Sequence, residues 1–371
     1  MKIGLLTSSR ADYSIYFPLI KRLIADAEID LEIIAFGSHL SEKHGYTLND
    51  ILKDNIEVKH ILEGTFPEND NPLSISLSMA STIAVFSKFW DEHTYDFVFA
   101  LGDRFEMFAA CLAGLPFNIN IAHIHGGEKT DGAIDDALRH SLSHIAKVHF
   151  TAAEEYKLRV IRLKESEKNV YNVGALSFEN FKNLPLLSIE AFNERFGIDL
   201  SKPSILITIH PETVSFEKNQ NHIHEITSAL EEIKGYQLII TMPNQDTMGN
   251  LIRQALYKFI EDNSHKAIGV ESFGTLGYLS CMKHCSFMLG NTSSGFGEAS
   301  FFPKYVVNLG NRQSGRILNS NIHSIPIKKE EIIKAIERYN PVDLETFQSV
   351  YGKGDASAEI MKLIKEIKWL N

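Results

Sequence analysis

Five short polar clusters stand out because each one closes an apolar run. Ser9-Arg10 follow IGLLTS (3–8), Gly102-Asp103-Arg104 follow FVFAL, and His125-Gly126-Gly127-Glu128 follow INIAHI. In the second half, His210-Pro211-Glu212 follow ILITI, and Gly290-Asn291-Thr292-Ser293-Ser294-Gly295 follow FML. Carboxylates and histidines of this kind are the groups of proton transfer, and arginines hold anions. If Asp103, Glu128 and Asp135 line one cleft, crowding raises one carboxyl pKa above another, which yields an acid and a base from one residue type. The bland reading of His210, a satisfied histidine before a proline turn, holds if it stands alone.

The densest stretch is HIHGGEKTDGAIDDALRHSLSHIA, from His123 to Ala146. His123 and His125 alternate along a strand and so are expected on one face. With Glu128, Asp135, Asp136, His140 and His144 they can be read as a metal site, yet the spacing matches no standard metal motif, so no metal is expected. Helical spacing groups Asp136 with Arg139 and His140. Asp135 and Asp136 also suit the start of a helix, where carboxylates stabilise free amides with no catalytic purpose.

GNTSSGFGE (290–298) reads as a loop opening a helix, and glycine-freed amides with hydroxyls suit a phosphate. The competing reading is a plain helix cap by Ser293 or Ser294. Glu298, one turn in, can accept from ribose hydroxyls or lie on the surface. Arg312 and Arg316 follow YVVNLG, and forked guanidinium groups bind phosphate well; a solvated turn is the alternative. Arg10 and Arg104 are the matching arginines in the first half. A Walker lysine and the dinucleotide fingerprint are both missing, so no nicotinamide or other redox cofactor is expected.

The elements that must position these groups form a regular alternation. Buried-strand runs occur at 3–8, 31–37, 97–102, 119–126 and 148–152, then at 205–210, 236–242, 267–270, 287–290 and 305–310. Helical patterns such as YFPLIKRLIADA, SMASTIAVFSKFWDEH, EYKLRVIRL, NLIRQALYKFIEDN and GTLGYLSCMKH lie between them. Continuous apolar strands alternating with helices predict an α/β chain with parallel sheets. In such sheets ligands collect outside the carboxyl ends of the strands, where the clusters fall. The rhythm weakens between Leu176 and Ser204, which places a domain joint there. The expected domains are 1–180, carrying the carboxylates, and 181–355, carrying the anion-binding groups. A terminal amphipathic helix, 356–371, is expected to pack back on the first.

Composition narrows the classes. A chain of 371 residues suggests two domains, and a net charge of −10 argues against nucleic-acid binding, which leaves a small anionic ligand. Arg10 and Asp12 interrupt the amino-terminal apolar run too early for a signal peptide, and no uninterrupted run reaches membrane-spanning length. Cys111, Cys281 and Cys285 make no disulfide framework, so a cytoplasmic protein without membrane contact is expected.

Taken together, SSRADY (8–13), GDRFE (102–106), HIHGGE (123–128), IDDALRH (134–140), AAEEY (152–156), HPET (210–213), GNTSSG (290–295) and NRQSGR (311–316) resemble the hydrolysing UDP-N-acetylglucosamine 2-epimerases of the sialic-acid pathway. The resemblance implies a GT-B-like architecture, two Rossmann-like domains whose parallel sheets face an interdomain cleft, and a homodimer. It implies elimination of UDP to a 2-acetamidoglucal, then addition of water to give N-acetylmannosamine. It also implies that Asp103 and Asp135 are acidic residues of the catalytic cleft and that His210 acts near the leaving diphosphate. Arg10, Asn291, Thr292, Ser293, Glu298 and Arg312 would contact the nucleotide, with Ser294 and Arg316 beside them and Arg104 next to the catalytic aspartate. Some relatives carry Glu in place of His125; the proton acceptor at carbon 2 is therefore left between His125 and Glu128. Two rivals stay open: the same reaction on a UDP-2,4-diacetamido-trideoxy sugar of the legionaminic-acid branch, and a GT-B glycosyltransferase or non-catalytic sugar-nucleotide binder.

Overall fold

In the computed structural model of this chain all residues are described except 43–44, 66–70, 130–133, 213–215, 244–248, 340–348, 353 and 368–371, and the side chains of 183, 216, 249 and 250. The chain divides into two units, one of Met1–Glu128, Ile134–Lys182 and Val350–Asn371, the other containing Asn183–Ser349.

The first unit holds β1 (Lys2–Thr7), β2 (Asp30–Phe36), β3 (His60–Leu62), β4 (Phe97–Leu101), β5 (Ile121–Ile124), β6 (Val148–Thr151) and β7 (Val170–Asn172). They form one parallel sheet in the order β3-β2-β1-β4-β5-β6-β7. FVFAL shows why its strands are apolar throughout. Phe97, Phe99 and Leu101 enter one core with Leu19 and Leu23 of helix Arg10–Ala25, while Val98 and Ala100 enter the opposite core with Phe86, Trp90 and Met107. Side chains alternate across a strand, so a sheet covered on both faces demands hydrophobes at every position. Each fully buried Phe or Leu adds about 1.5–3 kcal/mol.

The second unit repeats the plan with β8 (Ser204–Thr208), β9 (Gln237–Thr241), β10 (Ala267–Val270), β11 (Phe287–Gly290), β12 (Val306–Leu309) and β13 (Ile322–Ile325), all parallel, in the order β10-β9-β8-β11-β12-β13. Both sheets reverse their winding once, at β1/β4 and at β8/β11. The crevice at such a reversal is where doubly wound sheets bind ligands. Gly290 ends β11 with φ 150°, and a Cβ there would lie 2.0 Å from the Thr208 carbonyl oxygen. Only glycine lets β11 run this close to β8 at the second reversal.

The terminal helix Ala356–Glu366 lies against helix Arg10–Ala25, burying Ile360 and Ile364. Arg22 holds it by donating from Nε to Ser357 Oγ (2.6 Å), and it pairs with Glu179 (3.1 Å).

One expectation changes. Strands β3, β7 and β13 have no counterpart among the apolar runs; each is an edge strand of three or four residues, flanked on one side only, where HIL, VYN and IHSI suffice. Helix Pro72–Glu92 is long and apolar enough to cross a membrane by length and composition alone, although it holds no uninterrupted apolar run of that length. Its serines and threonine had broken the run. Ser78 and Thr82 face inward and donate to Thr65 O (3.1 and 3.4 Å), and Trp90 donates to Ala110 O (3.1 Å) of helix Phe105–Gly114.

Candidate active site

The question posed by GDR at the end of β4 is where two charges go. Gly102 turns the chain with φ 74°, and its N–H still donates to Ile124 O of β5 (3.0 Å). Arg104 then turns onto Glu106, with Nη2 2.9 Å from a carboxylate oxygen of a fully buried side chain. Burial pushes the Glu106 carboxyl up, and the Arg104 charge works against that rise. Burial also opposes the Arg104 charge, but Glu106, Asp12 and Asp135 more than offset it and keep the guanidinium protonated. Asp12 is itself buried below β1, where its carboxylate accepts from Ser8 N (2.9 Å) and Ser8 Oγ (2.7 Å). Arg10, first residue of its helix, is exposed.

At the end of β5 the two histidines part company. His123 remains in the strand, and its Nε2–H donates to Gly102 O (2.8 Å) while Nδ1 accepts from Ser143 Oγ (3.1 Å). Burial lowers its pKa to about 4, so it is neutral near pH 7. His125 has φ 64° and leaves the strand, so the expected shared face is not formed. The glycine pair makes the turn. A Cβ on Gly126 would lie 2.9 Å from His123 Nδ1, and one on Gly127 (φ 79°) 2.4 Å from Tyr156 O.

This turn brings Glu128 back to His125. His125 Nδ1 lies 3.0 Å from Glu128 Oε1, and Glu128 Oε2 lies 3.0 Å from Arg139 Nη1. The Nη2 group of Arg139 pairs with Asp103. Four side chains from β4, β5 and helix Asp135–Ile145 thus form a chain: His125–Glu128–Arg139–Asp103. Glu128 and Arg139 are both buried. One guanidinium between two carboxylates offsets much of the cost of holding both at a strand mouth; removing one partner of such a group leaves the others uncompensated. Asp135 opens the same helix, and Asp136 pairs with His140 (3.6 Å).

In the second unit the reversal point is organised by Asn291. Its Oδ1 accepts from His210 N (2.7 Å) and its Nδ2 donates to His210 O (2.8 Å), which clips the end of β8 to the end of β11. Arg312 Nη1 (3.3 Å) and Gln313 Nε2 (3.0 Å) both donate to Asn291 O. Burial first, then the Arg312 charge, lower the His210 pKa to about 3, so this ring is neutral. Thr292 accepts from Ser294 N (3.4 Å) and is the cap expected at Ser293 or Ser294. The Ser294 hydroxyl is shared with Tyr278 (2.6 Å) and Thr292 (3.1 Å), whereas Ser293 is exposed. Glu298 opens a helix of only four residues, Glu298–Phe301, so the helix expected after GNTSSGFGE is one turn and lends little dipole. Arg316 lies in the turn after β12; Thr213 of HPET lies outside the described residues.

Sequence reasoning missed Arg139, Glu106, Asp12, Tyr278 and Gln313 as parts of these two clusters. A signal existed for Arg139. It shares the buried face of its helix with Leu142 and Ser143, and an arginine on such a face requires acidic partners. Among the described residues no group of three or more His, Cys, Asp or Glu is gathered closely enough to hold a metal ion.

Residues 21–365 match the family model described as UDP-N-acetylglucosamine 2-epimerase. A Campylobacter jejuni protein, the hydrolysing GDP/UDP-N,N'-diacetylbacillosamine 2-epimerase, is 36% identical over 321 residues, covering 86% of this chain and 83% of its own. The Escherichia coli polysialic acid biosynthesis protein P7 is 32% identical over 371 residues, covering 98% and 94%. The crystal structure of UDP-GlcNAc 2-epimerase from Neisseria meningitidis bound to UDP-GlcNAc superimposes with a TM-score of 0.84 at 18% identity, over 99% of this chain and 100% of that one. The fold is accordingly GT-B-like.

Proposed function

Because the chain belongs to the UDP-N-acetylglucosamine 2-epimerase family and is a hydrolysing nucleotide-sugar 2-epimerase, we propose that it converts a UDP-linked 2-acetamido sugar and water to the free manno-configured sugar and UDP. The observation that carries this reading is the His125–Glu128–Arg139–Asp103 chain at the first sheet's reversal. Removing a weakly acidic proton beside the acetamido group needs a positioned base, and returning a proton to the other face needs a separate acid. Asp103 and Asp135 are assigned to the second task. His210, held neutral, with Arg312, Arg316, Arg10, Arg104, Asn291, Thr292, Ser293, Ser294 and Glu298, is assigned to the nucleotide. There cations and amide donors stabilise the departing diphosphate. Ser294 serves by holding Thr292 and Tyr278 in place, and Arg104 by orienting the β4 turn through Glu106.

For the sugar we favour UDP-N,N'-diacetylbacillosamine, a 2,4-diacetamido-trideoxy sugar, on the strength of the 36% identical relative. The family description favours UDP-N-acetylglucosamine as the second reading. The two differ at carbons 4 and 6, so discrimination of about tenfold or more in kcat/KM is expected. UDP release from each, with the GDP-linked diacetamido sugar as a third arm and no acceptor present, measures it. Faster turnover of UDP-N-acetylglucosamine reverses the order of the readings. Transfer that occurs only when an acceptor is added contradicts both and favours a glycosyltransferase. Action in the cytoplasm as a homodimer is also proposed, the first because Cys111, Cys281 and Cys285 are buried free thiols with no disulfide role.

A further inference from the structure

We propose that His125 is the base that takes the proton from carbon 2, through its Nε2 atom, and that Glu128 and Arg139 are its positioning residues. This rests on the epimerase reading and goes beyond it by assigning one atom to the step.

Three independent observations converge on His125. Its backbone has φ 64°, a left-handed conformation that costs a non-glycine residue about 1–3 kcal/mol and persists where surrounding structure enforces it, often at functional sites. The enforcing structure is the turn through Gly126 and Gly127, whose close contacts admit no side chain. Second, Nδ1 lies 3.0 Å from a Glu128 oxygen. An ionised carboxylate only accepts, so in the tautomer that this contact favours Nδ1 carries the hydrogen and the ring's basic lone pair is on Nε2. Third, Nε2 is buried and has no hydrogen-bond partner among the described residues. A buried acceptor left unpaired is costly, and such an exception calls for an explanation. A substrate proton supplies one. The side chain as a whole is 15% exposed.

The neighbouring charges suit the task. The groups facing the ring are Glu128 from the turn, the Arg139 guanidinium from helix Asp135–Ile145, and neutral His123 from β5; Asp103 stands beyond Arg139. Arg139 fixes the far oxygen of Glu128 and so the near one. In the step, the C2–H bond breaks and its electron pair becomes the C1–C2 double bond. The bond from carbon 1 to the diphosphate oxygen breaks, and UDP leaves with that pair. The proton passes to Nε2, and the resulting imidazolium is stabilised by the carboxylate at Nδ1.

His125→Gly tests this without disturbing the fold, because glycine adopts φ 64° freely. UDP release would be followed with UDP-N-acetylglucosamine and with UDP-N,N'-diacetylbacillosamine, with and without free imidazole, and folding would be checked by thermal melting. The expected result is a kcat about 10²–10⁴-fold below that of the parent. Imidazole should restore part of it, in proportion to its unprotonated fraction, and ammonium chloride of equal ionic strength should not. Undiminished UDP release by the variant overturns the assignment, as does a folded but inactive variant that imidazole fails to rescue. If the parent releases no UDP from either sugar, the epimerase reading itself fails; an active parent with an equally active variant defeats only the assignment of His125.

Discussion

Replacing Glu128 with Gln is expected to lower kcat by about 10³–10⁴ while leaving KM nearly unchanged, although the side chain keeps its shape. The reason is that Arg139 dictates which way the amide points. Its Nη1 group, 3.0 Å from Glu128 Oε2, can only donate, so the Gln carbonyl must face it. The NH2 group then faces His125 Nδ1, which is forced to accept. The hydrogen moves to Nε2, and the atom proposed as the base has no free lone pair. A carboxylate serving only as packing would tolerate the exchange. Steady-state kinetics on the folded variant decide the matter: kcat within an order of magnitude of the parent would mean that Glu128 does not set the tautomer.

Asp103→Asn is expected to reduce kcat by about 10²–10⁴ with little change in KM. Asp103 is paired with Arg139 at the other end of the four-residue chain and is 22% exposed, so it is both polarised and accessible. Asn keeps a donor and an acceptor there but cannot carry a proton through a cycle. The groups assigned to the nucleotide lie on residues of the second unit or on Arg10 and Arg104, which Asn leaves untouched, so binding should persist. A parallel rise in KM without loss of kcat would move Asp103 from proton transfer to substrate holding.

Much of this was legible in the sequence because the strands are short and apolar on both faces. FVFAL, IAHI and FMLG could not be amphipathic, and the ends of FVFAL and FMLG fall at the sheet reversals. The edge strands β3, β7 and β13 were not legible, since a strand with one neighbour has no need of a continuous apolar run. In the site, motif position located Asp103, Glu128 and His125 but not how they join. That depended on a left-handed residue at 125, which separates an apparent alternating pair of histidines into one ring held in the strand and one turned onto Glu128. Arg139 looked like a helix-surface partner of Asp136; only the placement of its helix beside β4 and β5 turns it onto Asp103 and Glu128. The hydroxyl-rich loop likewise concealed that Ser294 is committed to Tyr278, a residue distant in sequence from any motif.

The central claim is that the chemistry passes through loss of the carbon 2 proton, and turnover in deuterated water tests it most directly. Each molecule of free manno-configured sugar is predicted to carry one deuterium at carbon 2, read by mass spectrometry and by loss of the H2 signal in proton NMR. UDP release accompanied by a sugar that keeps its original hydrogen and configuration at carbon 2 would contradict the account.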